Sequence, residues 1–337
     1  MSEYAEGAMP ETNDAKTTLI IGAGAVGLGL ASCLHRAGRR IHFVVRPGPG
    51  PHPLEVRGLR RTGILGEARI APDAVGISRS FSALPRLDID AILVCTKSSA
   101  NPELAPALAR HWRSLPQPVP VVVCQNGWGN AEIFARDLPP EHVASASILT
   151  GFRRREDHAV EITVHARAIQ IGCLYSGELR SLEPLCAAID AGGIPCETSP
   201  SIEADLGAKL LYNCLLNPLG ALVGVPYGRL GEEAPTRAIM EAVAQEVFAV
   251  WGAGGFQIHW PDAERYLEVF YADLLPPTAD HESSMLQDLQ AGRPTEIDSL
   301  CGAVVALGQK FQVATPVNSA LLELIHAAER RARPDKT

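Results

Sequence analysis

Hydrophobic and polar positions divide this chain into two regimes. Up to about residue 199, short apolar runs alternate with helical periodicity and turn residues; beyond it only helical periodicity remains, broken by Pro226, Gly254, Pro276 and Pro294. The first regime predicts strands alternating with helices, and hence a parallel sheet flanked by helices. The run TTLIIGAGAVGLGLASCLHRAG from Thr17 reads as a buried strand, a glycine turn and a helix closing near Gly38. Further strands are predicted at residues 41–45, 91–96 and 119–124, with shorter ones at 54–58 and 68–70. Asn101 and Pro102 signal a helix running to about Arg113, with Asn101 as its cap. Between residues 142 and 197 the segments VASASIL, AVEITVHA, AIQIGCL and IPCE read as strands around a helix at 179–191, extending the same sheet.

The helical regime opens with EADLGAKLLYNCLLNPLGAL, residues 203–222. Lys209, Asn213 and Asn217 recur every four positions in an otherwise apolar run, and positions four apart drift only about 40° around a helix. The ammonium and both carboxamides therefore share one face, while Leu211, Cys214 and Leu215 take the other. Such a helix suits the wall of a polar cleft. The competing reading is an ordinary helical ion pair, because Asp205 precedes Lys209 by four residues. Pro218 is expected to kink or interrupt this helix.

Gly22, Gly24 and Gly27 give the GxGxxG spacing between a strand and a helix. The first glycine allows the tight turn, the second lets backbone approach a pyrophosphate, and the third lets helix and strand pack closely. The helix N-terminus then offers N–H groups to phosphate. A nicotinamide dinucleotide is the expected ligand, with a flavin as the lesser possibility. At the end of the second strand, where a carboxylate would select NAD, stands Arg46, which suits the 2'-phosphate of NADP or is simply solvated. Lys97 and Asn126 follow two other strands, where residues face the ligand crevice. A solvated lysine and a turn-satisfying asparagine are the alternatives. Ser283, Ser284 and Glu296 flank a turn marked by Gly292 and Pro294; Glu296 reads as a cleft edge or as a first-turn glutamate. The fold class is α/β: an N-terminal Rossmann-type doubly wound sheet (residues 17–199), then an all-helical domain (200–330), with tails at 1–16 and 331–337.

Composition narrows the function. A net charge of -8 with 20% charged residues argues against a nucleic-acid or anionic-membrane surface. No apolar run approaches the ~18 residues of a membrane span and the N-terminus lacks signal-peptide character, which predicts a cytoplasmic protein. The eight cysteines form no CxxC pair and read as reduced, buried side chains. The ten histidines show no paired ligand spacing, so no metal is expected.

These pieces together resemble the ketopantoate reductase (2-dehydropantoate 2-reductase) family, the NADPH enzymes of pantothenate biosynthesis. The motifs GAGAVG, CTK, QNGWGN, KLLYNCLLNPLGAL, SSMLQD and TEID occur in the family's order from about Thr17 to Arg330. The resemblance implies reduction of the C2 carbonyl of a 2-oxo acid, with Lys209 as general acid. It makes Asn213, Asn217 and Ser284 substrate-holding groups and puts Asn126 between substrate and nicotinamide. Gly22, Ala23, Gly24, Ala25, Val26, Gly27, Lys97 and Glu296 would line the cofactor, and Arg46 would meet the 2'-phosphate. Where the family commonly has Pro-Asn-Gly, this chain reads Pro226, Tyr227, Gly228, so Tyr227 falls at a substrate-binding position and leaves the identity of the 2-oxo acid open. Rival readings are a related reductase of another 2-oxo acid, an opine or 3-hydroxyacid dehydrogenase, and a non-catalytic NADP-sensing protein. The apolar stretch 300–307 suggests a homodimer through the helical domain.

Overall fold

The computed structural model describes residues 16–332; the predicted tails lie outside them at 1–15 and 333–337, while residues 331–332, expected in the second tail, continue the helix Pro316–Ala332. Eight strands form the main sheet, in the spatial order Cys196–Thr198, Ile169–Cys173, Val143–Ser147, Val121–Val123, Ile89–Val94, Thr17–Ile21, Arg40–Val44 and Val75–Ser78. Pairing is parallel throughout except between Val143–Ser147 and Ile169–Cys173. Alternate side chains of one strand feed different cores, as the two-residue period of a strand requires. Ile20, Leu93 and Val122 join a core with the helix Ala25–Arg36, while Leu19, Ile21, Ile92, Val94, Val121 and Val123 pack under Asn101–Trp112. This two-sided burial explains why the strands read as continuous apolar runs.

Strands in 142–197 extend the main sheet only in part. Thr150–Glu156 and Ala159–His165 form a hairpin that joins Leu59–Gly63 and Ala68–Ile70 in a separate four-stranded sheet. Main-sheet pairing next to Val143–Ser147 is taken by Ile169–Cys173, so the hairpin finds its partner 99 residues upstream, Ala159 pairing with Arg60 and Ile162 with Gly63. Arg61 fastens this second sheet. Its side chain is fully buried and donates to Ser32 Oγ (3.2 Å), Cys33 Sγ (3.0 Å), Gly192 O (3.3 Å) and Leu65 O (3.3 Å).

Three local expectations are corrected. Residues 54–58 are not a strand: Pro53–Arg57 is a short helix, with Pro53 in its first turn and His52 and Glu55 forming a reciprocal cap. The strand follows at Leu59–Gly63. Asn101 does not cap its helix; it is buried, and its amide joins Gln125 and Asn130. Pro218 does not interrupt the helix Ile202–Val223, because both flanks of that proline are locked in the core: Leu215, Leu216, Asn217, Leu219 and Gly220 are all buried.

Among the described residues no strand follows Thr198. Helix Ile202–Val223 is the axis of the remaining chain and packs against Ala234–Gly254, Ser284–Gln290 and Pro316–Ala332. It is the one helix among the described residues long and apolar enough to cross a membrane, and most of that surface is buried inside the protein. Leu300, Cys301 and Val304 are committed to the same core. All eight cysteines are free, and six of them are buried.

Candidate active site

A cavity of about 310 Å³ opens between the carboxyl ends of the main-sheet strands and the polar face of Ile202–Val223. Lys209, Asn213, Asn217, Tyr227, Ser284 and Asn126 all line it, as does Val26 of the glycine loop. Groups from residues 26 to 284 thus meet in one cleft. The other expected site residues lie around it. Glu296 accepts from Asn126 Nδ2 at 2.8 Å, and Lys97 Nζ stands 3.9 Å from Glu296 and donates to Asp288 at 2.8 Å. Arg46 is exposed just beyond the strand Arg40–Val44.

Lys209 is 7% exposed, and burial lowers its pKa to about 8, a shift that the negative charge of Glu296 opposes. The surface ion pair with Asp205 is not formed. Asp205 is itself buried and turned elsewhere, accepting from Ser199 Oγ (2.6 Å), Arg167 (3.3 Å) and His259 (2.9 Å). The four-residue spacing alone could not tell these cases apart, since it fixes which face a side chain occupies but not what packs on that face.

Asn126 is aimed by a buried amide network behind it. Gln125 Nε2 donates to Thr96 O (3.0 Å) and Asn101 Oδ1 (2.7 Å), Asn101 Nδ2 donates to Gln125 Oε1 (2.9 Å) and Asn130 Oδ1 (3.0 Å), and Asn130 Nδ2 donates to Asn126 O (2.8 Å). The network joins the loops after two neighbouring strands and fixes the backbone of Asn126, while Glu296 holds its carboxamide. Contacts across the two halves add to this. Trp128 N donates to Ser299 O at 3.0 Å, and Ser98 and Ser299 hydroxyls lie 2.6 Å apart. Gly127 has φ +93° and a Cβ there would meet Ser299 O at 2.2 Å, so only glycine permits this approach.

The glycine loop fits a dinucleotide. Gly22 has φ +102°, and a Cβ on Gly27 would sit 2.2 Å from Gly22 O, which is the close strand–helix packing the fingerprint requires. Helix Ala25–Arg36 begins with no side-chain cap and no acidic residue in its first turn, leaving its N–H groups for an anion. Arg79 also reaches the loop after Arg46, donating to Gly50 O at 3.1 Å and to Glu55 at 3.1 Å.

Sequence reasoning missed one wall of the cleft. Phe152, Arg153 and Thr163, from the separate hairpin, and Arg167 just after it complete the lining. Tyr212, Thr278 and His281 close the far end, with the Tyr212 and Thr278 hydroxyls 2.5 Å apart. Tyr212 could have been found, since it precedes Asn213 in the singled-out helix. The hairpin residues carry no local signal, because their place in the cleft depends on pairing with Leu59–Gly63.

The chain matches two family profiles, "Ketopantoate reductase PanE/ApbA" over residues 18–176 and "Ketopantoate reductase PanE/ApbA C terminal" over residues 201–329. A 2-dehydropantoate 2-reductase of Aquifex aeolicus (strain VF5) is 33% identical over 313 residues, covering 92% of this chain and 96% of its own. Among solved structures, a PanE/ApbA family ketopantoate reductase from Ralstonia eutropha JMP134 is 30% identical with a TM-score of 0.78, over 94% of this chain and 99% of its own. A D-mandelate dehydrogenase solved with NADH and anilino(oxo)acetate shares the fold at 21% identity and a TM-score of 0.81, over 94% of this chain and 99% of its own.

Proposed function

Since this chain belongs to the ketopantoate reductase family, we propose that it reduces 2-dehydropantoate to pantoate with NADPH, using Lys209 as the general acid. The observation that carries the reading is a buried ammonium, Lys209, in a cleft that it shares with the neutral groups Asn126, Asn213, Asn217 and Ser284 and with Arg153 and Arg167 on another wall, and that reaches the glycine loop. Gly22, Gly24, Gly27 and the helix N-terminus would hold the NADPH pyrophosphate and Arg46 would serve its 2'-phosphate; when bound, the cofactor would supply the hydride for C2.

As negative charge grows on the carbonyl oxygen, Lys209 Nζ stabilises it and gives it a proton. A pKa near 8 leaves Lys209 charged at neutral pH yet closer to the alkoxide's needs than an ordinary lysine. Glu296 helps keep that proton on the lysine, and by accepting from Asn126 at 2.8 Å it also fixes that carboxamide. Asn213, Asn217 and Ser284 bind the remainder of the substrate without adding negative charge beside a polyanionic cofactor. Closure of the two halves on the bound substrate would exclude water from the hydride path.

The test follows NADPH absorbance with ketopantoate, beside NADH, for the wild type and for Lys209→Met. The wild type should turn over with NADPH in preference to NADH. The variant should lose about 10²- to 10⁴-fold in kcat while still binding NADPH by fluorescence titration. Retained turnover in the variant would sink the acid assignment, and equal use of NADH would sink the cofactor assignment.

A further inference from the structure

A carboxamide offers either a donor or an acceptor, and which end of Asn217 meets the cleft decides what it can hold. The protons around it can be counted. Ser283 is fully buried, and its Oγ accepts from the backbone N–H groups of Met285 (3.1 Å) and Leu286 (3.4 Å), capping the helix that presents Ser284. Its own proton goes to Asn217 O at 3.0 Å. Ser283 is thereby occupied, and the phenol of Tyr227, which also lies within hydrogen-bonding reach of the Ser283 hydroxyl, donates to Asn217 Oδ1. Burial raises the pKa of Tyr227, so this donor keeps its proton at any working pH.

The phenol is firmly held. Tyr227 is 4% exposed, its N–H donates to His281 O at 3.1 Å and Gly228 N donates to Ala279 O at 2.9 Å. Its ring meets Tyr212 edge-on at 6.3 Å and His281 at 5.3 Å. With Oδ1 turned to the phenol, Nδ2 is the end of Asn217 left to the cleft, and among the described residues nothing accepts from it.

We propose that Tyr227 is a positioning residue that locks Asn217 with its NH2 toward the cleft, so the site selects a 2-oxo acid carrying an oxygen acceptor beyond the carbonyl, as the hydroxyl of ketopantoate does. The inference rests on the 2-oxo acid reduction read above. A phenol standing where the family has an asparagine then acts through Asn217 rather than on the substrate itself.

The experiment compares ketopantoate with 3,3-dimethyl-2-oxobutanoate, which lacks only the hydroxyl, in the wild type, Tyr227→Phe, Asn217→Ala and the double variant. Tyr227→Phe frees the amide to turn; the KM for ketopantoate should rise about tenfold, and that for the deoxy analogue should move less than about twofold. Asn217→Ala should show the same selective loss, and the double variant should lose no more than Asn217→Ala alone. Equal losses on both substrates, no change on either, or additive losses would each overturn the proposal. Should Tyr227→Phe fail to fold, the selectivity of Asn217→Ala decides alone: loss confined to ketopantoate supports the lock, and uniform loss overturns it. Absence of turnover of both substrates by the wild type would instead defeat the reductase reading.

Discussion

Lys209 carries a cost that its neighbours only partly offset. The folded protein holds its proton at a pKa of about 8, against an ordinary value of 10.5, because the ammonium is desolvated. The unfolded chain therefore binds that proton more tightly, so folding bears the full penalty below about pH 8 and is relieved as pH rises toward 10.5. Lys209→Met removes the penalty. At pH 7 the variant is expected to unfold at higher denaturant concentration than the wild type, with the gap closing between pH 8 and 10.5; a gap that widens in that range would contradict the assignment. Activity should respond in the same region, since turnover by the wild type needs the charged acid and should fall above about pH 8. Lys209, Asn213 and Asn217 were legible as one helical face, because a helix repeats every ~3.6 residues whatever surrounds it. The burial of Lys209, and the turning of Asp205 to Arg167 and His259, were not, since both depend on segments distant in sequence.

At the scale of elements, the separate hairpin shows what periodicity leaves open. Alternation announced a strand near residues 159–165, and a strand is there, but its partner Leu59–Gly63 was hidden behind a helix misread as a strand. That pairing brings Arg153 and Phe152 to the cleft. It is secured by Arg61, whose guanidinium donates to the buried carbonyl of Gly192 and the part-buried one of Leu65 and to Ser32 and Cys33. Arg61→Ala should leave a cavity and orphaned acceptors, lowering stability by roughly 3 kcal/mol in urea unfolding. A loss under about 0.5 kcal/mol would mean the guanidinium is not what fastens this sheet.

At the scale of the whole molecule, the two halves meet through charge as well as through packing. Asp288, 6% exposed, accepts from Lys97 (2.8 Å) of the sheet half and from Arg293 (3.0 Å) of its own. Asp288→Ala would leave Lys97 without its anchor and loosen the seam formed by Ser98, Trp128 and Ser299. Its melting temperature should drop by several degrees and NADPH affinity should fall several-fold, read by calorimetry and fluorescence titration. An unchanged affinity would remove Lys97 from the cofactor's surroundings.

By itself the sequence determined the local and periodic features: the glycine loop after a buried strand, the polar face of Ile202–Val223, and the change from strands to helices near residue 200. Backbone sterics and a regular repeat write those into adjacent residues. Only the tertiary structure decided which strand pairs with the hairpin, which way Asn101 and Asp205 turn, and that Tyr227 spends its hydroxyl on Asn217. Each of those is a hydrogen bond or a burial between residues several to a hundred positions apart, and such partners are chosen by packing rather than by propensity.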